Sequence, residues 1–220
     1  MTAVGSKGFL LVAALTFLSL CTPVIAQDQS ILQAVLNDPA VQQHALDAAK
    51  QSAVIVNNPC PAARYALTGK GAVYTALERD PSGVITKGAF KLEVHEDGCG
   101  ASHTLNVLGV VQTPGKLGLA PLLPGATLAG PQLQKDAINS AATSAGGPEK
   151  DCKIGYIEDT EFVKQDSAPV QGASAAPWRE LWTLVTCTRR AHVPMRFIPQ
   201  RNGTQIVAET AKIDPIQAKK

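Results

Sequence analysis

No stretch of this chain names a reaction. There is no G-x-S-x-G, so a nucleophile elbow is not signalled. There is no G-x-x-x-x-G-K-[ST] to cradle phosphate, no H-E-x-x-H to hold zinc and no C-x-x-C for thiol exchange. Charge of one sign is scarce as well. The net charge of +2 leaves no basic excess to neutralise a nucleic-acid backbone and no basic run for an anionic membrane surface. A second long apolar run is also missing, so nothing beyond the N-terminus approaches spanning length. At 45% hydrophobic and 17% charged residues, the chain is nonetheless able to bury a real core and is not of disordered composition.

The one apolar run, Gly8 to Leu20, follows the single early cation Lys7 and is broken by Pro23. Val24-Ile25-Ala26 then offers small residues where a signal peptidase reads, so residues 1–26 are expected to be a secretory signal and the mature chain to begin at Gln27. A retained anchor is the rival, but the apolar core is short for a span. Cys21 is a possible lipid-attachment site, which would make the protein an envelope lipoprotein. The Leu20 before it is larger than such signals prefer, and the expected location is the periplasm or the exterior. Past Cys21 four cysteines remain: Cys60, Cys99, Cys152 and Cys187. In an exported chain they suggest two disulfides, and no two lie close enough for the usual zinc spacing, so no metal or other cofactor is expected.

The chain carries an internal duplication. When Pro39 is laid on Pro131, Gln42 falls on Gln134, Ala45 on Ala137, Ala49 on Ala141 and Cys60 on Cys152. Cys99 and Cys187 follow as the second cysteine of each half. We read two repeats, 27–126 and 127–220, each a helix followed by an antiparallel meander of three or four strands. Asp38-Pro39 starts the first helix, with Val41, Ala45, Ala48 and Ala49 on one face. Pro131 starts the second, with Leu133, Ala137, Ile138 and Ala141 on its face. Strands are expected at about 64–78, 84–95, 101–111 and 116–120, then at about 153–164, 178–188, 191–199 and 204–210. Turns are expected at Asp80–Gly83, Glu96–Gly98, Pro114-Gly115 and Asn202-Gly203, with a polar loop from Asp166 to Pro177. This order is α+β and resembles a cystatin-like layout. The repeat pairs Cys60 with Cys99 and Cys152 with Cys187.

Three places deserve weighing as sites. Strand alternation puts Trp178, Glu180 and Trp182 on one face of their strand and Leu181, Thr183 and Val185 on the other. Such a strand either is buried on both sides or offers an aromatic patch to a partner or apolar ligand. His95 and His103 flank a turn, with Glu93 on the His95 face, and could meet across a hairpin around a divalent metal, although no third strong ligand is evident. His44 and His192 join them as conceivable general bases, but no catalytic set is apparent.

Leu123-Pro124-Gly125, Pro131-x-Leu133-Gln134, Asp159-Thr160 and Trp178-Arg179-Glu180-Leu181-Trp182 leading to Cys187 resemble, as a set, a group of exported proteobacterial proteins without assigned function. The likeness is strongest in the C-terminal half. Thr188 stands where related sequences tend to have glycine. The resemblance implies export and carries no activity. The expected function is therefore that of a non-enzymatic module binding a protein or small apolar ligand. A hydrolase-type enzyme with its site between the repeats and a structural part of an envelope assembly are the alternatives.

Overall fold

Ile31, Leu32, Val35 and Leu36 recur with helical spacing, and all four are buried. They belong to α1 (Val24–Asn37), a helix the sequence reading did not anticipate. The computed structural model describes residues 24–152, 155–170, 173 and 175–216. Lys7, the apolar run and Cys21 lie outside them, whereas the expected cleavage point after Ala26 falls in the first turn of α1. Next comes α2 (Pro39–Ala49), started as the sequence indicates. Asp38 Oδ1 accepts from the Ala40 amide at 2.8 Å, and Pro39 occupies the first turn, where its missing N–H costs nothing. A short α3 (Ala53–Asn57) buries Val54 and Ile55.

Sheet A is a simple antiparallel meander of β1 (Arg64–Arg79), β2 (Ile85–Gly98), β3 (Ala101–Thr113) and β4 (Lys116–Pro121). Phe90, Leu92, Val94, Leu105 and Val107 point from one face into the core beneath the three helices. Phe90 lies opposite Gly109, and its ring occupies the space a side chain there would need. The β1–β2 turn is built on Asp80, whose Oδ1 takes the amides of Ser82 and Val84 at 2.9 and 3.0 Å. The next turn differs from expectation. β2 runs through Glu96–Gly98, and the chain reverses at Cys99-Gly100, both left-handed at φ +50° and +78°, the pattern of a type I′ hairpin.

α4 (Pro131–Ser144) then leads into sheet B: β5 (Gly155–Gln165), β6 (Trp178–Thr186), β7 (Arg189–Gln200) and β8 (Gly203–Ala208), again a meander. A ninth strand, β9 (Lys212–Pro215), was not expected and pairs with the opposite end of β7 from β8. The β7–β8 turn residues are Arg201 and Asn202, one position earlier than expected, because Gln200 pairs with Gly203. α4 buries Gln134, Ala137 and Ala141 against this sheet, while Ile138 sits off that face and is 37% exposed. The polar loop is closed at its neck by the Asp166 amide donating to Pro177 O.

The fold is thus mixed helix and strand, with one four-stranded and one five-stranded antiparallel sheet. Disulfides join Cys60 to Cys99 and Cys152 to Cys187. Each spans a loop long enough to contribute about 4 kcal/mol by restricting the unfolded chain. No described helix is long and apolar enough to cross a membrane.

Candidate functional site

The tryptophan strand resolves toward the interior. Trp178, Glu180 and Trp182 project from β6 under α4, and Trp182 and Glu180 are closed off from solvent at 0% and 1% exposure. Trp178 stacks on Phe197 with centroids 5.0 Å apart, and Trp182 tilts against the same ring at 6.0 Å. Glu180 sits between the two indoles as their common acceptor. Trp178 Nε1 donates to Oε1 at 2.8 Å and Trp182 Nε1 to Oε2 at 2.7 Å. The Leu128 amide adds a third bond to Oε1 at 2.8 Å. These residues form core, so the aromatic surface patch that alternation left open is not formed by them.

Leu128 belongs to the linker 122–130, and the residues that carried the family resemblance converge on that segment. Asn106 of β3, almost wholly buried, donates from Nδ2 to Leu123 O at 2.7 Å and to Gly125 O at 2.9 Å. Gly125 N donates to Thr104 O on β3, and Ala126 N donates to Thr160 O on β5. The Thr160 hydroxyl bonds Pro124 O. Gln134 of α4 accepts from the Leu123 amide at 3.0 Å and donates to Ala129 O at 2.8 Å. Leu123-Pro124-Gly125, Gln134, Thr160 and Glu180 are therefore parts of one joint that fixes sheet A to sheet B. Lys91 of β2 points toward the same region. Its ammonium is held below the usual lysine value by burial, with the Glu93 and Glu180 carboxylates acting in the opposite sense.

The histidines do not converge. Because Glu96 pairs with His103 and His95 with Thr104, His95 and His103 project from opposite faces of the hairpin. The expected meeting of the two across the turn is corrected on that ground. His103 Nδ1 instead lies 2.7 Å from Glu96 Oε2, a buried carboxylate. Asp159 of β5 lies within reach of the His103 charge. Its carboxyl is raised above the usual aspartate value, mainly by desolvation, against the lowering effects of the Thr160 amide and His103. His192 contacts Thr183 Oγ1 at 3.2 Å and Asp214 at 3.4 Å, and His44 is on the exposed side of α2. Among the described residues no three His, Cys, Asp or Glu side chains are grouped to hold a metal ion.

Sequence reasoning missed an apolar groove, because its lining comes from five elements. A groove of about 440 Å³ is walled by Ala53 of α3, Leu123 of the linker, Ile138 and Ala142 of α4, Ile157 of β5 and Leu184 of β6. Its polar groups are already engaged. Asn58 Nδ2 donates to the Tyr156 hydroxyl at 2.6 Å. Glu149 accepts from the hydroxyls of Thr186 and Thr188 and lies 3.0 Å from Arg189 Nε. Those partners, the Thr186 hydroxyl first, hold Glu149 below the usual glutamate value of 4.5.

A group lowered in this way stabilises the fold above its unfolded value and loses that contribution as pH falls through its folded value. Replacing Glu149 by Gln is therefore expected to lower stability near about pH 7 and to leave it nearly unchanged near about pH 2.5. Urea unfolding of both proteins at the two pH values measures this, and a difference independent of pH would remove the carboxylate from the account. No family model matches the chain, and no curated protein or solved structure matches it either.

Proposed function

We propose that this is an exported, non-enzymatic binding module, periplasmic or secreted, that takes a small apolar ligand in the groove between α3, the linker, α4 and the β5–β6 pair. The observation that carries the reading is the groove itself. It has the size of a small-molecule site, aliphatic walls, and polar groups that are internally satisfied. Export is supported by the two disulfides, which persist in oxidising compartments, and by the N-terminal signal pattern. The halves 27–126 and 127–220 are proposed to descend from a duplication with a cystatin-like layout. In support, each has a Pro-initiated helix, a meander and one disulfide. The first half adds α1 and α3, and the second adds β9.

The enzymatic alternative has one observation in its favour. Glu96 and His103 form an orienter–base pair beside Asp159 at the joint between sheets. No described hydroxyl or thiol is hydrogen-bonded to His103 as a nucleophile would be. A structural role by edge-to-edge assembly is opposed at the edges β1 and β5, which are interrupted by register shifts at four and two places, and has only the regular edges β4 and β8 to use.

Two measurements test the reading. Intact mass of protein from an envelope fraction should give a chain starting at Gln27 that gains two hydrogens per disulfide on reduction. A full-length chain with free thiols would overturn the export reading. Displacement of an apolar fluorophore by straight-chain alcohols should be saturable and tighten by about tenfold for every two added methylenes that enter the groove. Ile138→Trp, on an exposed helix position that rims the groove, should abolish the displacement while leaving thermal unfolding unchanged.

A further inference from the structure

We propose that β4 and α2 together form a dock for an extended peptide, which adds to sheet A antiparallel to β4 and brings a carboxylate to Arg79 and Lys116. The inference rests on the binding-module reading but uses a different surface. Among the described residues β4 pairs only with β3, so the backbone groups along its other edge have no ladder partner there. It is more regular than the edges β1 and β5, as β8 is in sheet B. From Leu117 to Pro121 its register with β3 is unbroken, whereas β1 and β5 are bulged.

A trough runs beside this edge. One part, of about 510 Å³, is lined by Val35, Val41, Arg79, Ile85, Lys116 and Leu117. The next part, of about 310 Å³, shares Val41 and Leu117 and continues to Leu119, Ala48 and Asp47. Leu117 and Leu119 face the helices and are only partly buried. A strand laid along β4 would place alternate side chains against them while its backbone completes the edge, the combination by which strand addition obtains affinity and selectivity.

Charge sets the polarity. Arg79 and Lys116 are at the end of the trough where β4 begins, and neither is paired with a carboxylate among the described residues. Asp38, the acidic residue at that end, is turned to the amides that start α2. An antiparallel peptide ends where β4 begins, so its C-terminal carboxylate arrives at the two cations. A parallel one would bring its ammonium there.

The probes are hexapeptides alternating threonine with valine, leucine or phenylalanine, each made as free acid and as C-terminal amide, titrated into the disulfide-intact protein and followed by amide chemical shifts. At least one free acid should bind saturably with a Kd below about 1 mM, shifting amides of residues 117–121 and of α2. Amidation, or the double variant Arg79→Glu and Lys116→Glu, should weaken binding by about tenfold or more, the size of a lost charge-assisted hydrogen bond. Leu119→Lys, with an unchanged melting profile, should abolish it. Absence of saturable binding across the set, equal affinity of acid and amide, or shifts confined to other surfaces would overturn the dock. A protein that fails here yet still binds straight-chain alcohols leaves the apolar-groove reading standing.

Discussion

Replacing Glu180 by Leu is expected to cost about 3–5 kcal/mol of stability, the largest effect of any side-chain substitution proposed for this molecule. Two physical effects compete. Burying a carboxylate without a bonded cation is expensive, and removing it relieves that cost. Against this stand three donors whose only acceptor among the described residues is this side chain: the indole N–H of Trp178, the indole N–H of Trp182 and the amide of Leu128. The two indole bonds are buried and the Leu128 bond is part-buried, and each buried donor left unpaired costs about 1–3 kcal/mol. A carboxylate suits the position because it accepts at both oxygens and donates nothing. The loss of three acceptor contacts outweighs the relief of one desolvated charge.

The neutral isostere separates the two terms. Glu180→Gln keeps one acceptor oxygen but turns an NH₂ toward an indole or amide N–H, so it should lose about half as much as the Leu variant. Urea unfolding followed by far-ultraviolet circular dichroism reads both without relying on the altered tryptophans. A Leu variant within about 1 kcal/mol of the parent would mean that the indoles find other acceptors, and the joint would need another account.

The behaviour of this residue shows why part of the architecture could be read from sequence and part could not. Local rules located Asp38-Pro39 at the start of α2, the Asp80 turn and most strand limits, because each depends on neighbours a few residues away. The disulfide partners followed from the duplication pattern. Three elements escaped. Ile31, Leu32, Val35 and Leu36 have helical spacing but were overshadowed by the export signal just before them. α3 and β9 are too short, at five and four residues, to show a period.

The site readings failed or stayed open for a different reason. Alternation gave the correct face for Trp178, Glu180 and Trp182, yet what covers that face is a linker amide and a helix distant in sequence. His95 and His103 were placed together by a turn assigned too early. With reversal at Cys99-Gly100, their positions differ by one step in register, and one step exchanges the faces of a sheet. The groove and the β4–α2 trough draw on several separated segments each, so no window of sequence contains them.

Gly125→Ala is expected to lose at least about 3 kcal/mol, although it adds a single methyl group on a linker. Gly125 has φ +87°, which by itself disfavours any side chain by about 1–2 kcal/mol. The surroundings add more. A Cβ there would stand 2.1 Å from Thr160 O, 2.5 Å from Thr160 N and 2.3 Å from Asp159 Oδ1. Two of those atoms are backbone of β5, held in register opposite Trp182, so they cannot swing away as a side-chain tip would. On its other side Gly125 is drawn onto β3 by its amide bond to Thr104 O and by Asn106.

Gly83 provides the control, since it shares nearly the same backbone at φ +89° and has nothing within 4 Å of its would-be Cβ. Gly83→Ala should therefore cost only the conformational part, about 1–2 kcal/mol. The difference between the two variants in urea unfolding isolates the closeness of β3, linker and β5. A Gly125 variant no weaker than the Gly83 variant would mean that the linker can lift off β5. The two sheets would then be tethered rather than fixed, and the walls that Leu123 and Ile157 give the apolar groove would not be held at a constant separation.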